Sequence, residues 1–441
     1  MMQSKLSRQV RISASVTLVC KVIQAVLALV ISMLTARYLG PGQYGILGYA
    51  ISAATFVTPT ALLGFHAILV RELIDQPEKE GEILGTAVFS SFVSSLVMAG
   101  GIFCFNRLFS DHEALTEMTC LLYSMVLATQ SVELIQYWFQ AKVQNHCPAI
   151  CTLIAYIFIS IYQLVLIRRG RPVTWFAVAK ALEYLIAAIG LWFVYWHRGG
   201  CKLSFSFARL KGMLSRSAPY ILSLTLVMTF AQVDHIMVKI MLGEEATGFY
   251  SAAVTCANLT EFIFIAVIDT IRPTILEAHN DLTGSYETRL TELYSFVIYL
   301  ALAQSIFITA LARPIITLLY GNAYLDATGV LRLLVWYTVF VYIGFVRDIW
   351  ILAEAKQKYL WRINLMGALS NIALNYLMIP KFGIEGAALA SMLTQAFTNV
   401  GVGLIYAPLR GNNACLLRGL NPKYAISMLR TLVVKTKRDK E

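Results

Sequence analysis

Of the 441 residues, 58% are hydrophobic and only 14% are charged, and the mean hydropathy is +0.66. A soluble domain carries about 25% charged residues, so this composition excludes one. The formal net charge of +11 is spread between apolar runs as a topology signal, and no nucleic-acid partner is expected.

Runs of about 20 apolar residues match a hydrocarbon core about 30 Å thick. Twelve follow in chain order, near 14–36, 45–70, 83–106, 118–141, 148–167, 173–196, 217–242, 249–272, 291–312, 328–352, 358–379 and 384–406. Barrel strands would alternate over about ten residues, a pattern absent here. The expected fold is therefore an all-α polytopic membrane protein with about twelve transmembrane helices. The first run exceeds a signal-peptide core of about 7–15 residues, so it reads as a retained span. With the N-terminus inside, 24 of the 36 Lys and Arg residues fall in inner segments and seven in outer ones. That asymmetry predicts cytoplasmic termini. The eight cysteines lack metal-ligand spacing and read as small apolar residues, so no metal is expected.

The longest mid-chain polar stretch, 197–216, carries five basic residues and separates six spans from six. It predicts an N-terminal lobe over 1–196, a basic cytoplasmic linker over 197–216, a C-terminal lobe over 217–406 and a basic cytoplasmic tail over 407–441. The tail ends Lys435-Thr436-Lys437-Arg438-Asp439-Lys440, which suits anionic lipid headgroups and makes membrane lipid an expected partner. Two echoes support duplication. Leu39-Gly40 with Gly45 recurs as Leu242-Gly243 with Gly248, and Gln140-Ala141-Lys142 recurs as Glu354-Ala355-Lys356. Two copies of a multi-span unit predict pseudo-symmetric six-helix lobes around a central cavity, an arrangement that suits alternating access.

Polar residues inside spans cost insertion energy and usually face a bundle interior or an aqueous cavity. Span 1 holds Lys21 and Gln24; span 4 holds Gln130, Glu133, Tyr137 and Gln140 on one face. Span 7 holds Gln232, Asp234, His235 and Lys239, and span 8 holds Glu261, Asp269 and Arg272. Span 10 holds Arg332, Arg347 and Asp348; spans 11 and 12 align Asn364, Asn371, Asn375 and Ser391, Gln395, Asn399. Plainer readings stand beside these. Lys180 and Glu183 can pair with each other, Lys239 and Arg332 can snorkel, and the amide stripes can join helices. Basic groups at both mouths nonetheless suit an anionic headgroup such as a pyrophosphate. The diphosphate or cavity candidates are Lys21, Gln24, Arg71, Lys239, Arg272, Arg332 and Arg347. Glu133, Asp234, Glu261 and Asp269 are the candidates for proton or cation coupling; no cofactor is otherwise expected.

The segment Ala36-Arg37-Tyr38-Leu39-Gly40-Pro41-Gly42-Gln43-Tyr44-Gly45, with Val70-Arg71-Glu72-Leu73, resembles the start of the bacterial polysaccharide flippases, the Wzx-type O-antigen transporters. Asp234-His235-Ile236-Met237, Arg313-Pro314-Ile315-Ile316 and Gly383-Ile384-Glu385-Gly386 resemble later parts of that family, so the likeness runs over essentially the whole chain. Its relatives form the multidrug/oligosaccharidyl-lipid/polysaccharide exporter superfamily. The resemblance implies two lobes around a cationic cavity and an undecaprenyl-diphosphate-linked oligosaccharide as cargo. It also implies a bacterial inner-membrane location, with a polysaccharide polymerase and a chain-length regulator as partners. Two alternatives stay open: a multidrug or cation antiporter of the same superfamily, and a membrane polymerase or glycosyltransferase. Short outer loops and the duplication weigh against an enzyme.

Overall fold

The computed structural model describes residues 2–109, 113–280 and 285–438, and every regular element among them is helical. The side chains at the basic end of the tail, Lys435 to Lys440, lie outside the described residues. The twelve expected spans appear as ten apolar helical segments. The difference has a simple cause. The segments Ser15–Ala61 and Gln357–Ile405 are 47 and 49 residues long, about 70 Å at the α-helical rise and more than twice a bilayer core. Each is broken by one non-helical glycine, Gly40 (φ 71°) in the first and Gly383 (φ 60°) in the second, so each holds two passes. The chain is an all-α, multi-pass membrane protein of two lobes.

The chain divides into two compact units, Met1–Gly248 and Phe249–Glu441. The first comprises α1 (Met2–Ala61), α2 (Leu69–Asp75), α3 (Glu80–Phe109), α4 (Ala114–Glu133), α5 (Gln136–Ala141), α6 (His146–Arg168), α7 (Val173–His197) and α8 (Phe207–Leu242). It also takes in the first turn of α9 (Glu244–Asn258). One core of this unit gathers Phe65, Leu69, Trp138, Phe139 and Tyr195 around Ile83, Leu84 and Ala87 of α3. Residues 200–206 are not helical and dock along α3, with Ser204 N donating to Gly81 O at 3.1 Å and Ser206 N to Thr86 Oγ1 at 3.1 Å. Ser206 then caps α8 by accepting from Arg209 N at 3.4 Å.

The repeated glycines have matching roles. Gly40 and Gly243 (φ 91°) both take left-handed backbone that a Cβ would penalise, and each precedes a fresh helix start. The later glycine of each copy packs against the other copy. A Cβ on Gly45 would lie 1.8 Å from the Glu244 carbonyl oxygen, and one on Gly248 would lie 2.0 Å from the Pro41 carbonyl oxygen. Only glycine permits this reciprocal backbone approach.

The second unit contains α10 (Glu261–Asn280), α11 (Tyr286–Tyr320), α12 (Ala327–Ala353), α13 (Leu360–Ala396), α14 (Val402–Ile405), α15 (Arg410–Gly419) and α16 (Pro422–Arg438), with most of α9. Its core centres on Tyr294, Tyr342 and Trp350. The tail helices α15 and α16 fold back on α11, where Tyr299 OH donates to Leu420 O at 2.6 Å and Ser295 Oγ to Asn421 O at 3.1 Å.

Candidate functional site

In the first unit, α1 meets α5 and the start of α6 around a cavity of about 240 Å³. Its polar lining comprises Thr17, Lys21, Gln24, Gln136, Gln140, Asn145 and Thr152. Helical spacing explains the α1 contribution: Thr17, Lys21 and Gln24 are four and three residues apart and share one face. The opposite wall is held near α1 by Ser13, whose Oγ accepts from His146 N at 3.2 Å. No ion pair or side-chain hydrogen bond engages Lys21, Gln24, Gln136, Gln140 or Asn145 among the described residues. The Thr17 hydroxyl is buried with no partner among the described residues, while Thr152 donates to Pro148 O at 2.8 Å and keeps acceptor capacity. The described lining thus offers one ammonium, several free carboxamides and no carboxylate. Such a surface binds an anion and flanking hydroxyls without first breaking internal bonds.

The other basic candidates sit elsewhere and most are neutralised. The Lys239 side chain is 7% exposed, and its Nζ lies 2.7 Å from Glu113 Oε2 and 3.2 Å from Glu244 Oε1. Thr116 Oγ1 lies 2.9 and 2.7 Å from those same oxygens, closing a four-residue cage. Hydrogen bonding with Glu244, and then with the Lys239 ammonium, holds the Glu113 carboxyl down to about 2. Arg71 is 87% exposed and pairs with Asp75 at 3.4 Å across one helical turn. Its neighbour Glu72 is buried and binds Arg216.

In the second unit, Arg272 pairs with Asp269 at 3.3 Å. Both line a cavity of about 260 Å³ that also takes in Asp348 and Phe345. Arg347 is buried and largely engaged. Its Nε and Nη2 donate to Asp348 Oδ1 at 3.2 and 2.9 Å, and its Nη1 donates to Thr398 O at 3.2 Å and Asn399 Oδ1 at 2.7 Å. A π-helical turn over Phe397–Gly401 presents that Thr398 carbonyl. Asn399 continues the network to Gln395 Oε1 at 2.6 Å and Phe340 O at 2.9 Å, so the span 12 stripe joins helices. Arg332 is exposed.

Of the coupling candidates, Glu133 is buried beside Lys180 and Glu183, which pair with each other at 2.8 Å. Asp234 is buried in α8, Glu261 opens α10 after the break in span 8, and Asp269 is held by Arg272. The structure therefore brings together Lys21 and Gln24 in one cavity, and Arg272 and Asp269 in another, and sets the remaining candidates apart. Among the lining residues, Thr17, Gln136, Asn145 and Thr152 carry no mark in the sequence that points to chemistry. Asn145 lies in the polar turn after α5, a place where interfacial loops often carry amides for plain solvation, and carried no distinguishing signal.

A sequence profile described as polysaccharide biosynthesis protein matches residues 11–279. No curated protein sequence matches the chain. Among solved structures the fold is similar to a lipid II flippase, MurJ, in an inward closed conformation (TM-score 0.73, 15% identity, 95% of this chain and 92% of that one). It is also similar to an inward-facing multidrug resistance MATE family transporter of the MOP superfamily (TM-score 0.67, 15% identity, 89% and 95%). A third similar structure is the eukaryotic MATE transporter AtDTX14 (TM-score 0.56, 14% identity, 94% and 98%).

Proposed function

Because this chain belongs to the polysaccharide biosynthesis protein family, we propose that it is a flippase for an undecaprenyl-diphosphate-linked oligosaccharide, an O-antigen or related lipopolysaccharide repeat unit. It carries that unit from the cytoplasmic to the periplasmic leaflet of the bacterial inner membrane, with both termini cytoplasmic. A polysaccharide polymerase and a chain-length regulator act downstream on the delivered unit. The flippase and transporter folds it is similar to support the transport class. The observation that carries the reading is the Lys21 cavity, where an unpaired ammonium stands among free carboxamides.

The chemistry follows from that arrangement. A diphosphate brings its negative charge to Lys21, a point charge on a flexible stem. Gln24, one turn away, donates to a further phosphate oxygen. No counter-ion has to be displaced, so the attraction is not spent on breaking an internal pair. A cation antiporter would require an acidic lining, and the described lining of this cavity has no carboxylate. For release on the far side, coupling to protons or cations falls to the buried acids Glu133 and Asp234 and to Glu261 and Asp269.

Reconstitution tests the reading directly. Proteoliposomes loaded with a lectin-recognised polyprenyl-diphosphate oligosaccharide should expose it to external lectin much faster than protein-free vesicles. Equal rates with and without the protein would sink it.

A further inference from the structure

We infer that the carboxamides facing Lys21 form a sugar-reading subsite, which selects a neutral, hydroxyl- or acetamido-bearing pyranose linked to the diphosphate. This inference rests on the flippase reading and names what the same cavity recognises beyond phosphate. Gln136 and Gln140 reach the cavity from α5, Asn145 from the turn that follows, and Thr17 from α1. Each carboxamide offers two N–H donors and an acceptor oxygen, the mixture that hydroxyl and acetamido groups require. None of the three spends that capacity on an internal side-chain hydrogen bond among the described residues. The Thr17 hydroxyl is buried with no partner among the described residues, a cost that a bound hydroxyl would remove.

The alternative use of such residues is visible elsewhere in the same chain, which makes the contrast informative. In the second unit, amides one helical turn apart bond within their own helix: Asn375 Nδ2 donates to Asn371 Oδ1 at 3.2 Å, and Asn399 Nδ2 to Gln395 Oε1 at 2.6 Å, with Asn399 also reaching Phe340 O on α12 at 2.9 Å. Each of these amides makes a side-chain hydrogen bond, and the amides around Lys21 make none among the described residues. The cavity's volume of about 240 Å³ falls just below the pocket range of about 300–1,000 Å³ that holds drug-sized ligands, which suits one ring and not a whole oligosaccharide. The single ammonium and the absence of a carboxylate in the described lining fit a neutral ring beside an anionic linker. A site built to hydrogen-bond hydroxyls discriminates strongly against a ligand that lacks them.

The test compares two probes on the purified full chain in detergent: a polyprenyl diphosphate carrying a single pyranose, and the same polyprenyl diphosphate without sugar. The wild type should bind the sugar-bearing probe about tenfold or more tighter, the worth of one or two net hydrogen bonds. In Gln136→Leu/Gln140→Leu that ratio should fall toward 1, and Asn145→Leu alone should lower it partway. Lys21→Gln should weaken both probes together. Asn145 sits in an exposed turn, so its variant keeps the inference testable if the double variant folds poorly. Equal wild-type binding of the two probes would overturn the sugar subsite while leaving the diphosphate reading intact. A ratio that survives all the carboxamide changes would also overturn it. Failure of both probes to bind would overturn the subsite and the diphosphate reading together.

Discussion

Lys21 and Lys239 are both lysines inside apolar spans, and they have opposite surroundings. Lys239 is buried in a cage of two carboxylates and a threonine hydroxyl. Lys21 is exposed to a cavity whose described lining holds carboxamides and no counter-ion. The first lysine's charge is consumed in holding the end of α8 to the start of α4; the second's is available. What separates the two charges is the partner set, and that set comes from residues distant in sequence. Glu113 is 126 positions from Lys239, and Gln136 lies more than a hundred positions from Lys21.

That contrast can be broken in four ways. The largest effect is expected from Lys239→Met, which strands two carboxylates. The stranded carboxylates are 43% and 28% exposed, so water recovers part of the loss, and the cost of about 1–3 kcal/mol should still lower the variant's thermal unfolding midpoint in detergent. An unshifted midpoint would mean the cage contributes nothing. Next, Lys21→Gln should reduce translocation in proteoliposomes about 10- to 100-fold, the worth of lost charge-assisted hydrogen bonds, with the unfolding midpoint held. Wild-type rates would remove Lys21 from the path.

Acid should act on the cage. The Glu113 carboxyl is depressed from 4.5 to about 2 in the folded chain, so its stabilising contribution is present above about 4.5 and is lost as pH falls toward about 2. Thermal scans over that window should show a smaller acid-induced drop in Glu113→Gln than in the wild type; identical curves would contradict the assignment. The smallest effect belongs to Arg71→Ala. Its ion pair is 87% and 58% exposed on the two sides, and such pairs are worth about 0–1 kcal/mol. Stability and surface polysaccharide should both stay near wild type, and a large loss of polysaccharide would give Arg71 a direct role.

Much of the architecture was legible in the chain because lipid imposes a strict rule on backbone and length. Apolar runs located the passes, and the Leu-Gly repeat located two equivalent turns. What the repeat did not disclose is that Gly45 and Gly248 pack against each other's copies, since close backbone approach leaves no trace beyond the glycine itself. The candidate site was legible in part. Lys21 and Gln24 are neighbours on one helix turn, so α1 alone betrays them. Asn145 and Thr152 reach the cavity only through the way α6 packs on α1, and no local pattern records that. Arg347 shows the reverse: an intramembrane arginine invites a ligand, yet Asp348, Thr398 and Asn399 take up most of its donors.

The most direct measurement is the affinity of a polyprenyl diphosphate for the purified chain, taken side by side in the wild type, Lys21→Gln and Lys239→Gln below their unfolding temperatures. The uncaged lysine should matter and the caged one should not. Binding should weaken about tenfold or more in Lys21→Gln and stay within about twofold of wild type in Lys239→Gln. Unchanged binding in Lys21→Gln, or an equal loss in both variants, would contradict the assignment of the Lys21 cavity as the diphosphate site.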